Sequence, residues 1–133
     1  MTRSQQREHV FKMLFQTEFY ETEELEGQDR LYMDDLSVIK DEEQEFITGE
    51  VNATRENLSQ IDSMIDEKIS GWNLGRIGKV ELTILRLAVY EMLFVDTIPE
   101  SVTINEAVEL AKKYGGDDSY AFVNGVLSKF AKN

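Results

Sequence analysis

The sixteen residues KVELTILRLAVYEMLF, positions 79–94, decide the fold. Leu82, Leu85, Val89 and Met92/Leu93 recur at helical spacing, while Ile84, Leu87, Ala88 and Phe94 spread apolar surface around nearly the whole cylinder. A helix apolar on most faces belongs at the centre of a protein, with other helices packed on every side. Residues 80–83 and 89–93 would tolerate a buried strand, but sixteen residues without Gly or Pro exceed an ordinary strand. Glu81, Arg86 and Glu91 fall where a helix is expected to carry them outward. The segment is too short and too charged for a membrane span, which needs roughly 20 apolar residues.

Around that helix, a chain of 133 residues with 41% apolar composition can bury a real core as one domain. Cysteine is absent, which excludes a disulfide framework, a thiolate metal site and a cysteine nucleophile. One Pro and 8 Gly suit a helical protein. The N-terminus carries no apolar signal segment, so the expected location is cytoplasmic. Net charge is −12, which at first sight argues against a nucleic-acid partner. The distribution changes that reading. Residues 21–69 carry 16 acidic and 4 basic side chains, residues 1–20 carry 3 basic and 2 acidic, and residues 70–133 carry 7 basic and 8 acidic. The acidity belongs to the middle, where it reads as a solvated surface, and the two ends remain eligible for an anionic partner.

Taken in order, residues 5–20 are expected to form the first helix, with Val10, Met13/Leu14 and Thr17 on one stripe and Phe11, Phe15 and Phe19 on the next. Arg3 and Arg7, four apart, share a face. His9, the only histidine, reads as a surface or half-buried helix residue and cannot alone build a multi-histidine metal site. Residues 21–29 read as an acidic loop or frayed connector, and residues 31–39 as a weak short helix. Residues 41–44 resemble a cap followed by an acidic first turn. Phe46/Ile47, Val51, Thr54, Leu58, Ile61, Ile65 and Ile69 then predict one long helix. Residues 71–75 read as a bend carrying Trp72 as an interhelical plug, and residues 96–99 as a connector ended by Pro99. The spacing of Thr103 and Glu106 suits a capping box, with Ser101 a competing cap. Lys112 and Lys113 occupy the last turn of that helix, where cations are favoured. Asp117, Asp118 and Ser119 offer caps for a final helix, buried through Phe122/Val123, Val126/Leu127 and Phe130, with Gly125 inside it.

No glycine-rich phosphate loop follows a strand and no paired His or Cys ligands exist, so no enzyme, cofactor or metal is expected. The corner YGGDDSY, residues 114–120, sets aromatic, acidic and hydroxyl groups between two helix ends. Aromatic rings stack on unstacked bases and a carboxylate accepts from a base amino group. Caps and core aromatics are the plainer reading of the same residues.

INEAVELAKKYGGDDSYAFVNGVLSK (residues 104–129), preceded by Ile98-Pro99, resembles the NusB family of bacterial transcription antitermination factors. GKVELTILRLAVYE (78–91) is similar to the family's central helix, and REHVFKMLF (7–15) to its arginine-led first helix. Residues 21–69 match only in length and helicity. The resemblance implies an all-α fold of about seven helices, in N-terminal and C-terminal sub-bundles covering roughly 1–73 and 74–133 of a single domain. It implies binding of the single-stranded boxA element in nascent rRNA transcripts, together with the small ribosomal protein that doubles as NusE. RNA polymerase and other Nus factors complete the antitermination complex. Monomer and homodimer both occur in the family and stay open.

The resemblance also implies site residues. Arg3 and Arg7 match arginines that contact the RNA backbone, while Ser4 and Gln5 stand where more basic members carry arginine, which weakens the salt-dependent attraction. Phe15 matches an aromatic position near the RNA path. Asp118 and Phe122 match positions that meet the RNA, Tyr120 replaces a frequent histidine and Tyr114 a frequent phenylalanine. Lys79 and Glu81 match the region facing the ribosomal protein, where a carboxylate suits a basic partner.

Overall fold

The computed structural model describes residues 1–36, 39–69 and 74–132. These form seven α-helices: α1 (Arg3–Phe15), α2 (Thr22–Asp35), α3 (Asp41–Glu56), α4 (Leu58–Lys68), α5 (Lys79–Phe94), α6 (Glu100–Tyr114) and α7 (Ser119–Ser128). Short 3₁₀ turns lie at Gln16–Glu18 and Leu74–Arg76. The chain is all-α, as its apolar periodicity predicts. The expected bend at 71–75 and the role of Trp72 lie largely outside the described residues. No helix among the described residues is long and apolar enough to cross a membrane.

The central helix is where the sequence puts it. Leu82, Ile84, Leu85, Leu87, Ala88, Val89 and Met92 are all buried, and α5 packs against α1, α3, α4, α6 and α7. One hydrophobic cluster joins it to Val10, Phe11, Met13 and Leu14 of α1, Ile47 and Val51 of α3, Ile61 and Ile65 of α4, Ala107 and Leu110 of α6, and Val123 and Leu127 of α7. Burying such side chains stabilises by about 1.5–3 kcal/mol each, which makes α5 the organising element energetically as well as topologically.

Glu91 departs from expectation. It points inward and is 1% exposed. Its carboxylate accepts from Arg7 Nε at 3.0 Å and from Thr103 Oγ1 at 3.0 Å, so helices α1, α5 and α6 meet on one buried charge. Thr103 is therefore inside α6 rather than a cap, and α6 begins at Glu100, directly after Pro99. Arg86 is half-buried and bidentate to Asp62, with both contacts at 2.8 Å, and also pairs with Glu18.

The middle of the chain is more helical than its pattern suggests. Residues 22–35 form α2 rather than a connector and a short helix. Glu24 supplies its cap by accepting from the Glu21 N–H at 3.0 Å. Only Leu25 of α2 is buried, so apolar periodicity carries almost no signal there. The helix is held sideways instead: Asp29 accepts from Arg55 Nη1 at 2.5 Å, and Tyr32 Oη lies 2.7 Å from His9 Nδ1. The expected long helix is two, broken at Asn57, where φ is −109° and ψ 16°. Asn57 Nδ2 donates to the Ala53 carbonyl at 2.8 Å, a local bond that competes with helix continuation. At the start of α3, Lys40 takes the cap position, Asp41 is already helical, and Glu43 accepts from the Lys40 N–H at 3.0 Å. The first helix ends at Phe15 and runs on as the 3₁₀ turn.

Candidate nucleic-acid and protein interface

α1 runs alongside α6. Ser4 Oγ donates to Glu106 at 2.5 Å, Glu8 accepts from Lys113 Nζ at 2.5 Å and from the Tyr114 hydroxyl, and Phe11 meets the Tyr114 ring at 5.0 Å between centroids. A row of rings continues along α1. Phe11 stacks with Phe15 at 6.1 Å, and Phe15 meets Phe19 edge-on at 5.0 Å. Each end of the row carries an ammonium: Lys113 Nζ is 5.5 Å from the Tyr114 ring and Lys79 Nζ 4.8 Å from Phe19. Phe11 and Phe15, four apart on α1, share a face, and the 3₁₀ turn that follows brings Phe19 up to the end of the row.

The row ends beside the N-terminus of α5. There a groove of about 380 Å³ is lined by Arg76, Ile77, Gly78, Glu81, Asp118, Ser119 and Phe122. Three residues singled out in the sequence, Glu81, Asp118 and Phe122, thus share one groove, although they lie on two helices. Asp118 is the N-cap residue of α7, yet its side chain makes no capping hydrogen bond and stays exposed. Phe122, one turn on, is half-buried against the core. Ser119 Oγ donates to Glu81 Oε2 at 2.5 Å and accepts from the Gly116 N–H at 2.9 Å, which closes the turn between α6 and α7.

Charge is distributed unevenly in this region. Hydrogen bonds from Lys113 and from the Tyr114 hydroxyl hold the Glu8 carboxyl below its ordinary range. Burial and the same Glu8 push Tyr114 up to about 12, so its hydroxyl stays a donor. Asp118, Tyr120 and Lys79 are exposed and Phe15, Tyr114 and Phe122 half-buried. Tyr120 is 45% exposed, with Lys112 Nζ 5.5 Å from its ring.

The two arginines stand apart. Arg3 begins α1, about 18 Å from Phe15 by helical rise. It is exposed, with its guanidinium 3.9 Å from the centre of the Phe46 ring. Arg7, 5% exposed, is turned into the core toward Glu91, with Glu106 at 3.8 Å. Its shared face with Arg3 holds only loosely, because both lie over Phe46 but only Arg3 reaches solvent. The sequence shows no sign of Glu8 or Arg76 at the site, places Phe19 only on the aromatic stripe, and offers Ser119 as a cap and as a hydroxyl of the 114–120 corner. Phe19 carried a detectable signal in its spacing from Phe15. The others depend on contacts between distant segments.

No cluster of three or more His, Cys, Asp or Glu able to hold a metal occurs among the described residues. An all-helical bundle carrying a row of aromatic rings with an ammonium at each end and carboxylates beside it has the form of a helical binding module. The family model for NusB matches residues 4–132. The transcription antitermination protein NusB of Agathobacter rectalis is 56% identical over 131 residues, covering 98% of this chain and 100% of that protein. NusB of T. maritima superposes with a TM-score of 0.91 at 41% identity, over 100% of this chain and 92% of that one. A structure of antitermination factors NusB and NusE in complex with dsRNA matches with a TM-score of 0.82 at 27% identity, over 98% of this chain and 97% of that one. The chain belongs to the NusB family of transcription antitermination proteins.

Proposed function

We propose that this protein is an antitermination adaptor of the cytoplasm. With the ribosomal protein that acts as NusE, it binds single-stranded boxA RNA of nascent rRNA transcripts and holds it near RNA polymerase, alongside other Nus factors. The observation that carries this reading is the groove shared by Asp118, Phe122, Glu81 and Arg76, reached from the ring row that ends at Phe19 and Lys79. Stacking on a ring is worth about 1–3 kcal/mol per base and tolerates any base, while the uncommitted Asp118 carboxylate accepts from a base amino or imino group. The RNA residues are Arg3, Phe15, Tyr114, Asp118, Tyr120 and Phe122. Arg7 serves them indirectly by fixing α1 against α5 and α6. Lys79 and Glu81, at the start of α5, face the protein partner. The packing of α5 against helices of both sub-bundles supports a single domain.

Fluorescence anisotropy of a boxA-like RNA, titrated with this protein alone and preloaded with the ribosomal protein, tests the reading at two salt concentrations. Strong binding in the preloaded sample, weakened by salt, is expected. Equal weak binding in both samples would leave a protein-binding module without an RNA-loading role, the reading favoured by the inward turn of Arg7 and the acidic middle.

A further inference from the structure

Two segments far apart in sequence meet at one hydrogen bond. Ser119 Oγ, in the first turn of α7, donates to Glu81 Oε2, in the first turn of α5, at 2.5 Å. Both ends of this bond are framed by glycine. A Cβ placed on Gly78 would lie 2.2 Å from Glu81 Oε1, and one on Gly115 would lie 2.5 Å from Ser119 Cβ and 2.8 Å from the Ala111 carbonyl oxygen. Neither glycine has positive φ: Gly78 sits at −60° and Gly115 at −94°. Any residue can adopt those backbones, so the demand at both positions is for space. The space lets the carboxylate fold back over the start of α5 and lets Ser119 reach it.

The bond continues into the corner. Ser119 Oγ accepts from the Gly116 N–H at 2.9 Å, and the Ser119 N–H donates to the Gly116 carbonyl at 3.1 Å. That reciprocal pair fixes the turn immediately before α7. Asp118 lies within it, and Phe122 follows one helical turn later, its N–H donating to the Asp118 carbonyl at 3.2 Å. The orientation of the Glu81 carboxylate is thereby transmitted to the two residues assigned to RNA. Glu81 Oε1, over Gly78, makes no hydrogen bond among the described residues, and Glu81 lines the groove that also holds Asp118 and Phe122.

We infer that Ser119 is a coupling residue, which through Glu81 makes protein-partner binding at the start of α5 tighten RNA binding at the corner between α6 and α7. The inference rests on the reading above, in which Glu81 meets a basic protein partner. A cation on that partner pairs with Oε1 and fixes the carboxylate, whose Oε2 then holds Ser119 in one position. Asp118 and Phe122 are ordered before RNA arrives, and the cost of ordering them is removed from the RNA-binding step. Coupling between two ligands is reciprocal, so RNA must tighten the protein partner by the same factor.

The test measures RNA affinity with and without the ribosomal protein for wild type, S119A and S119T, and partner affinity with and without RNA. A wild-type coupling factor of about fivefold or more is expected, falling toward one in S119A and recovering in S119T, which keeps the hydroxyl. A coupling factor unchanged in S119A overturns the inference. E81Q keeps an acceptor for Ser119 but removes the charge. It is expected to leave the amide resonances of residues 116–122 in place while losing their response to the partner, and it carries the test if S119A does not fold; wild-type coupling in E81Q also overturns the inference. Those resonances, followed in wild type and E81Q on adding the ribosomal protein without RNA, separate two failures. Absence of RNA binding with a partner-induced shift at residues 116–122 overturns the functional reading and keeps only the transmission from Glu81 to the corner. RNA binding without such a shift does the reverse.

Discussion

Arg7 and Glu91, 84 residues apart, form a buried ion pair: Nε lies 3.0 Å from Oε2, and the side chains are 6% and 1% exposed. Thr103 adds a third bond to the carboxylate at 3.0 Å, which helps to offset the cost of desolvating it. An arginine whose sequence position suggests a phosphate contact thus spends its charge inside the protein. The pair fixes the rotation of α1 about its axis and so determines which way Phe11, Phe15 and Phe19 face.

Arg7→Ala leaves Glu91 charged and buried without its cation. The expected loss is about 3–5 kcal/mol of stability, read from urea denaturation midpoints. RNA affinity of the remaining folded fraction should change far less than in Asp118→Asn. A large affinity loss with unchanged stability would place Arg7 on the RNA instead.

Glu50 sits near the same pair. Burial, then the neighbouring Glu91 carboxylate, pushes it up to about 9 from an ordinary 4.5, and among the described residues Glu50 Oε1 has no hydrogen-bond partner. A carboxyl raised in this way keeps a proton in the folded state that the unfolded chain has released. Stability therefore falls as pH rises from about 4.5 to about 9. Glu50→Gln should flatten that slope and equal or exceed wild type at pH 8. Thermal denaturation across the range checks it, and an unchanged slope would assign the pH dependence to another group.

Glu8 accepts from Lys113 at 2.5 Å, so in the proposed RNA complex this carboxylate would compete with a phosphate for that ammonium. Glu8→Gln should tighten RNA binding at low salt and steepen its dependence on log salt by about 0.7, the value for one added phosphate contact on a single strand. Titrations at three salt concentrations measure the slope. Weaker binding would mean that the pinned Tyr114 matters more than the released lysine.

Two glycines should respond oppositely to alanine. Gly125 is exposed inside α7 with nothing within 4 Å of a Cβ, so Gly125→Ala should stabilise by about 1 kcal/mol through helix propensity. Gly115→Ala meets Ser119 and the Ala111 carbonyl and should destabilise by about 1–3 kcal/mol. Calorimetric melting temperatures of the two variants decide both.

The sequence by itself determined the all-helical class and the central helix, because a sixteen-residue apolar run without Gly or Pro has only one way to bury most of its faces. It also determined the α6–α7 corner, where a lysine-ended helix, two glycines and a cluster of caps leave little choice. It could not decide α2, whose only buried residue is Leu25 and whose anchors, Arg55 and His9, lie outside the segment. Nor could it divide α3 from α4, since Val51, Thr54, Ile61 and Ile65 keep helical phase across the break at Asn57. Tertiary structure alone decided that Glu91 turns inward, that Arg7 follows it, and that Glu81 meets Ser119. Helical spacing shows which side chains share a face, but whether a charge on that face meets water or another charge depends on the helix packed against it.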